Sequence, residues 1–333
     1  MLMGHTILVT GGSGLLGSYV IRQLVERGDR VINFDTREPT GELAWWLKPV
    51  ADRVQFVAGG VDVWGDVAAV VRDFAPEVIV HTAAIVDLPL LNRRPGLAAG
   101  VNFGGTFNIL EAARVFGVSR VVYVSSIALL PTIQYQPVDA KHPIFLGNEG
   151  PGGSFYAAAK VAGEAFCWAY HQSFGLDHII LRPSAVYGFG MRYPIYIKPM
   201  VENSVRGLPT RFAQGREFPR DYTHVLDVTQ MVLKAVDIPA EKVQDRTFYA
   251  ATGRPLVTAG QVAEVVKKLI PGADIEIGSG LSENDLIEIR YRGVLSIENA
   301  RQQLGYEPRF GDIERGIAQY IEMYRRYLAE TER

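Results

Sequence analysis

At 333 residues the chain exceeds what one hydrophobic core usually holds, so two lobes sharing a cleft are expected. Hydrophobic residues make up 48% and charged residues 21%, an ordinary globular composition that excludes a disordered chain. A net charge of −2 with both signs interspersed supplies neither a basic stripe for nucleic acid nor a cationic face for a membrane, and neither is an expected partner.

The first predicted strand, Ile7 to Val9, breaks into Gly11-Gly-Ser13-Gly14-Leu15-Leu16-Gly17 and restarts as a predicted helix, Leu15 to Arg27. Glycines three apart allow a tight turn, a close backbone approach to a pyrophosphate, and close packing of helix on strand, while the helix N-terminus offers free N–H donors. Such a turn needs an acid about twenty residues on to read as a dinucleotide site. Asp35, closing the strand Val31 to Phe34 and followed by Thr36, meets that need. Its carboxylate suits the adenosine ribose and repels a 2′-phosphate, which favours NAD; Arg37 keeps NADP open as an alternative. No Gly-Lys-Ser/Thr follows, so a triphosphate loop is excluded, and Leu15 stands where a nucleophile elbow needs glycine.

Further apolar runs follow at Val54 to Val57, Val78 to Val80, Val121 to Val124 and Ile179 to Leu181, with helical segments between them. Continuous Val/Ile runs are strands buried on both faces, so the expected fold is α/β, a Rossmann-type doubly wound parallel sheet. Asp62-Val63 and Thr82-Ala83-Ala84 then lie at carboxyl ends of strands, where such sheets bind ligands; Asp62 reads equally well as a helix cap. Asn102 opens a predicted helix, Phe103 to Phe116, as a cap or a cofactor contact. Ser125 and Ser126 end the Val121–Val124 run, and after a Pro/Gly-rich loop Tyr156 and Lys160 share one face of a predicted helix. On that helix Cys167, between Phe166 and Trp168, reads as a buried thiol. Two predicted helices, Asn102–Phe116 and Tyr156–Tyr170, are apolar on more than one face, which a homodimer would cover. The stretch Met191 to Pro219 reads as loops and a helix, and a strand at Phe248 to Ala251 and helices at Val262 to Leu269 and Ile313 to Leu328 complete the chain. The histidines lack paired metal-ligand spacing, so no metal is expected. With no signal-like leader and no apolar run of spanning length, a cytoplasmic location is expected.

Taken in order, GGSGLLG at 11–17, Asp35, Asp62-Val63, HTAA at 81–84, Val101-Asn102-x-x-Gly105-Thr106, YVSS at 123–126, YAAAK at 156–160, LRPSAVYGFG at 181–190 and RDYTHVLDV at 220–228 resemble the extended short-chain dehydrogenases/reductases, the NAD-dependent epimerase/dehydratase family. The resemblance implies an NAD-binding domain over 1–187 with about 221–250, and a smaller C-terminal substrate-binding lobe from 188–220 and 251–333. It implies a catalytic group of Ser126, Tyr156 and Lys160, with Tyr156 and Lys160 also holding the cofactor. It places Pro183, Ala185 and Val186 at the nicotinamide end, Val86, Ser125, Ser126 and Ile127 beside the substrate, and Arg220 or Arg192 on an anionic group of that substrate. His224 and Asp227 are expected to join the lobes.

Taking a hydride from an alcohol carbon needs a base at its oxygen. Tyrosine titrates near pH 10, so readiness near neutrality asks for about 4 kcal/mol of help, expected in part from the Lys160 cation and in part from the positive nicotinamide of bound NAD, with Ser126 positioning the oxygen. Departures from the family pattern bear on substrate. Ala185 stands where nucleotide-sugar epimerases carry Asn, and Arg290-Tyr-Arg-Gly-Val replaces Arg-Pro-Gly-Asp. Ile127 and Ala128 cannot supply the acid a dehydratase uses, and Leu129-Leu130-Pro131 makes the wall more apolar. The first expectation is an NAD-dependent dehydrogenase acting on a hydroxyl of a small polar substrate such as a sugar, sugar acid or hydroxy acid. The alternative is a nucleotide-sugar epimerase that retains its NAD, and a third is a non-catalytic NAD-sensing protein.

Overall fold

The structure is a computed structural model that describes residues 4–148, 150, 154–193 and 195–332. Part of the loop before Tyr156, and Pro194, lie outside the described residues. In chain order the first half contains β1 (Thr6–Thr10), α1 (Leu15–Arg27), β2 (Arg30–Asp35), α2 (Glu42–Leu47), β3 (Val54–Ala58), α3 (Trp64–Phe74), β4 (Val78–His81), α4 (Leu88–Arg93), α5 (Pro95–Leu97), α6 (Gly105–Phe116) and β5 (Arg120–Val124). There follow α7 (Phe155–Phe174), β6 (His178–Pro183), β7 (Ala185–Tyr187), α8 (Ile197–Val205), β8 (Thr210–Phe212), β9 (Pro219–Arg220), β10 (Tyr222–His224), α9 (Val225–Asp237) and β11 (Thr247–Ala250). The chain closes with β12 (Val257–Thr258), α10 (Ala259–Leu269), β13 (Ile275–Ile277), α11 (Glu283–Glu288), α12 (Glu298–Leu304) and α13 (Ile313–Thr331).

Seven strands form one sheet in the order β11-β6-β5-β4-β1-β2-β3, all parallel. Their Val- and Ile-rich runs are buried by helices on both faces, as parallel pairing requires. One face carries α1 and α9 over Ile7, Val9, Val80 and Val122; the other carries α3 and α6 over Leu8, Ile32, Ile79 and Val121. Strand order reverses beside β1, between β2 and β4, so the crevice at that switch point opens at the carboxyl edge. The short strands β7 to β10, β12 and β13 pair outside this sheet. In that region β7 pairs with β10, β9 with β12 and β8 with β13.

Two buried carboxylates tie the later chain back to the sheet. Asp227 accepts from the backbone N–H groups of Arg309 and Phe310 at 2.7 and 2.9 Å, while His224 stacks on Phe310. Asp177 takes Arg120 at 2.6 Å and Arg246 on its other oxygen at 2.5 Å, and Arg120 also donates to the closing carbonyls of α9. Among the described residues no helix is long and apolar enough to cross a membrane.

Candidate active site

The glycine turn divides its work by position. Gly11 has φ +67°, and a Cβ there would meet the Ala83 backbone at 2.6 Å. At Gly17 a Cβ would lie 2.4 Å from the Gly11 carbonyl oxygen, so only glycine lets α1 start this close to β1. Gly14 is different: its Cβ would meet only the Gly11 oxygen, at 3.2 Å, leaving the outer side of the turn open to a ligand. Gly14 gives α1 no side-chain cap and the first turn holds no acid, so the N–H groups of Leu15 and Leu16 are free for an anion. Asp35 closes β2 with one carboxylate oxygen on Ser13 N–H at 3.0 Å and the other on Thr36 N–H at 2.7 Å. An open glycine cradle, uncapped donors and a ribose-height carboxylate are a set of groups that fits NAD. The Thr82 hydroxyl donates to the Thr10 carbonyl at 2.7 Å, which brings Thr82, Ala83 and Ala84 alongside the turn.

Asn102 and Arg192 have partners within the chain, and Asp62 is not a helix cap. Asn102 does not open a helix. It lies in a π-helical turn, Ala98–Gly104, where its buried amide accepts from Ile85 N–H at 2.8 Å and donates to Ile85 C=O at 2.9 Å. Its role is to hold the loop after β4. Asp62 is exposed and caps nothing; the residue before α3 is Val63, itself exposed, and Asp66 accepts from Gly60 N–H instead. Arg192 is exposed and donates to Thr40 at 3.2 Å, between β2 and α2, whereas Arg220 ion-pairs with Glu288. The two arginines therefore serve different surroundings.

At the same carboxyl edge, Ser126 follows β5 and Tyr156 and Lys160 open α7. The Ser154 hydroxyl caps that helix on Ala157 N–H at 3.1 Å. The Ser126 hydroxyl accepts from Ala128 N–H at 3.1 Å and acts on the Tyr156 phenol. Lys160 is buried, donates to the Val124 carbonyl at 2.7 Å, and has its Nζ 5.7 Å from the Tyr156 ring centre. The expected tuning of Tyr156 by Lys160 is not what governs the tyrosine here. Burial raises the phenol above its ordinary pH 10, and the Ser126 hydrogen bond pulls it back. Lys160 itself is lowered to about 8, by burial first, with Glu164 working in the opposite direction. Ser125 is buried with its hydroxyl unpartnered. Cys167 is buried and unreactive, since burial pushes its thiol far up.

A residue the sequence reading missed stands one turn beyond the lysine. Glu164 receives Arg182 through two buried contacts of 2.9 and 2.6 Å, and Arg182 also reaches the Tyr249 hydroxyl at 3.2 Å. This pair fixes α7 to β6. The i,i+4 spacing from Lys160 and a charged residue inside an apolar strand were the available signals.

Beyond Ser126, a small cavity is lined by Ile127, Ser184, Ala185, Arg220, Tyr291 and Arg292. Arg292, also missed, is the arginine that segment 290–294 brings to Arg220. Pro183 ends β6, Ala185 and Val186 form β7, and the Ser184 hydroxyl donates to Asp221 C=O at 2.8 Å. Val86 is half exposed, at 51%. The other arginines of this region are engaged in exposed ion pairs: Arg206 with Glu332, Arg211 with Asp274, and Arg216 with Glu264.

A parallel sheet with a dinucleotide cradle and a Ser-Tyr-Lys group at its carboxyl edge defines a nicotinamide-dependent enzyme class. Residues 7–251 match the model of the NAD dependent epimerase/dehydratase family. The UDP-glucose 4-epimerase of Mycolicibacterium smegmatis is 30% identical over 335 residues, covering 96% of this chain and 98% of that protein. The crystal structure of a UDP-glucose 4-epimerase from Thermotoga maritima with UDP-glucose superposes with a TM-score of 0.83 at 25% identity, covering 97% of this chain and 99% of that one. The Thermus thermophilus UDP-glucose 4-epimerase in complex with NAD does so with a TM-score of 0.77 at 26% identity, covering 96% and 99%. The chain belongs to the NAD dependent epimerase/dehydratase family, enzymes of the extended short-chain dehydrogenase/reductase group, and its cofactor is NAD.

Proposed function

We propose that the protein epimerises a sugar carried on a nucleoside diphosphate and keeps its NAD through the cycle. The observation that carries this reading is the pair Arg220 and Arg292 beside Ile127, one residue beyond Ser126. Guanidinium pairs suit phosphate oxygens, and a small neutral sugar has no use for them. Full-length similarity to UDP-glucose 4-epimerases favours it over net dehydrogenation of a free sugar or hydroxy acid.

Bound NAD supplies the reversible redox chemistry. Ser126 holds the reacting sugar oxygen by a hydrogen bond, and Tyr156 takes the hydroxyl proton and later returns it to the same oxygen. Lys160 keeps a positive charge near the phenol whenever it is protonated, which favours phenolate as the proton leaves the sugar. Ile127 and Ala128 offer no proton to a leaving hydroxyl, which disfavours dehydration. In this reading residues 1–187 with about 221–250 hold the cofactor, while 188–220 and 251–333 form the substrate lobe.

Two further parts of the proposal concern setting. The enzyme works in the cytoplasm, in keeping with one reduced cysteine. It also works as a homodimer through α6 and α7, on which Phe107, Val115, Phe116, Trp168 and Phe174 remain exposed even though Phe103 and Phe107 pack on Phe166.

The test is incubation of NAD-loaded protein with UDP-glucose, following UDP-galactose and NADH together. Isomerised sugar nucleotide with no net NADH is expected. NADH accumulating from free NAD and simple alcohols would restore the dehydrogenase reading, and tight NAD binding with neither product would favour a sensor.

A further inference from the structure

Glu288, the last residue of α11, sits between the two arginines of the cavity. A single carboxylate oxygen takes Arg292 Nη2 at 2.7 Å and Arg220 Nη2 at 3.3 Å. Both guanidiniums are largely buried, at 17% exposure each, and Arg220 lies over the Phe218 ring at 4.7 Å. The Nε–H of each arginine is buried with no hydrogen-bond partner. Buried donors are nearly always satisfied in a finished structure, so two idle, solvent-shielded N–H groups on arginines that line one cavity are donors an entering anion reaches by displacing their present neighbours. Two cations share the Glu288 carboxylate, while Asp221, the carboxylate that lines the same cavity, is engaged by the Thr223 and Thr252 hydroxyls; burial and the facing Arg220 lower Arg292 from its ordinary range. The group around the cavity is therefore an anion site already holding one anion of its own.

We infer that Glu288 determines specificity by acting as an internal competitor, so that the site accepts a diphosphate and turns away a monocarboxylate. The inference rests on the nucleotide-sugar reading and deepens it. A free carboxylate could only replace Glu288 like for like, and it would compete against a group tethered at high effective concentration. A diphosphate brings a second negative charge and several more oxygens, enough to take both Nη2 donors and both idle Nε–H groups through charge-assisted hydrogen bonds. Displacing Glu288 costs every anion alike, so a monoanion that gains little from the site falls below useful binding while a diphosphate, with more oxygens to offset that cost, does not. Sugar acids and hydroxy acids are thereby disfavoured as substrates in spite of two arginines beside the catalytic serine.

The experiment titrates NAD-loaded protein with inorganic pyrophosphate, UDP-glucose and glucuronate by calorimetry, in the native protein, Glu288→Gln, Arg292→Gln and the double variant. Glu288→Gln is expected to tighten pyrophosphate by about tenfold, the scale of one charge-assisted hydrogen bond, and to tighten glucuronate by a similar factor, bringing it into the measurable range. Arg292→Gln should weaken pyrophosphate, and the double variant should lose the gain. Glu288→Asp, with its carboxylate drawn back by one methylene, should shift both affinities in the same direction by less, which keeps the test available should the glutamine variant fold poorly. Pyrophosphate and glucuronate affinities unchanged within about twofold, or weaker, in Glu288→Gln would overturn the inference. If the pyrophosphate gain appears but no form binds UDP-glucose, the nucleotide-sugar function falls and the role of Glu288 stands. If native protein turns over UDP-glucose while Glu288→Gln changes neither anion affinity, the function stands and the role of Glu288 falls.

Discussion

Tyr156 is the proposed proton acceptor, and burial pushes its phenol up, the wrong way for that role. In the proposed cycle the positive nicotinamide of the retained cofactor would favour phenolate, together with Lys160, which burial lowers only to about 8. Replacing Tyr156 by Phe is expected to cut turnover by at least about a hundredfold, the usual reach of a general base, and to leave NAD affinity within about twofold. Fluorescence titration of NAD beside rate measurements checks this, and normal turnover would remove Tyr156 as the base. At this scale the sequence carried much of the site. Ser126, Tyr156 and Lys160 were legible because a strand end and a helical spacing of four fix them relative to one another. Arg292 and Glu288 were not, since their meeting with Arg220 depends on how segments some seventy residues apart fold together. Asn102 misled because a residue before an apolar helix looks like a cap, and only the π-helical turn reveals that its amide serves Ile85 instead.

Helices α6 and α7 carry more apolar surface than the sheet covers. Ile109 and Leu110 are fully buried against the sheet, and the Phe103–Phe166 and Phe107–Tyr170 contacts cover part of the remainder. Phe107, Val115, Phe116, Trp168 and Phe174 are left exposed on these helices, the surface the proposed dimer would cover. Replacing Phe107 and Trp168 together by Glu is expected to convert a dimer into monomers, read by light scattering at micromolar concentration, with lower activity because Tyr156 and Lys160 ride on α7. A native protein that already scatters as a monomer would contradict the pairing. Element boundaries were largely readable: α1 runs from Leu15 to Arg27 as predicted, and each predicted strand of the sheet is found within a residue or two. The strands β7 to β10, β12 and β13 were not, apart from the Phe248 region that became β11. Two- and three-residue pairings have no periodicity to detect.

Across the whole molecule, three buried histidines set an acid limit. Burial holds His81 and His224 at about 3 and His178 at about 4, below the ordinary unfolded value of about 6.5. Below that value the unfolded chain takes up protons that the folded one refuses, so stability is complete above it and is lost as pH falls toward 4. Asp227, raised to about 6 by burial, acts with the opposite sign between about 6 and 4, as does the raised Asp221. The net loss is roughly 1 to 3 kcal/mol per pH unit, a large share of a typical folding free energy. Thermal unfolding followed by circular dichroism should show the midpoint dropping from pH 6.5 to 5, more shallowly in His178→Leu; a flat profile in the native protein would count against the three histidines. The seam between residues 133–138 and 290–296 has a different bearing. Ile133 donates to Arg290 C=O, Val138 N–H to Val294 C=O, and Ser296 N–H to Val138 C=O, so the segment after the catalytic serine is stitched to the segment holding Arg292 mainly by main-chain bonds. Side chains along such a seam can be exchanged without breaking it. A designer seeking a changed substrate preference would start on these two strips of chain, leaving Tyr156 and Lys160 on α7 untouched.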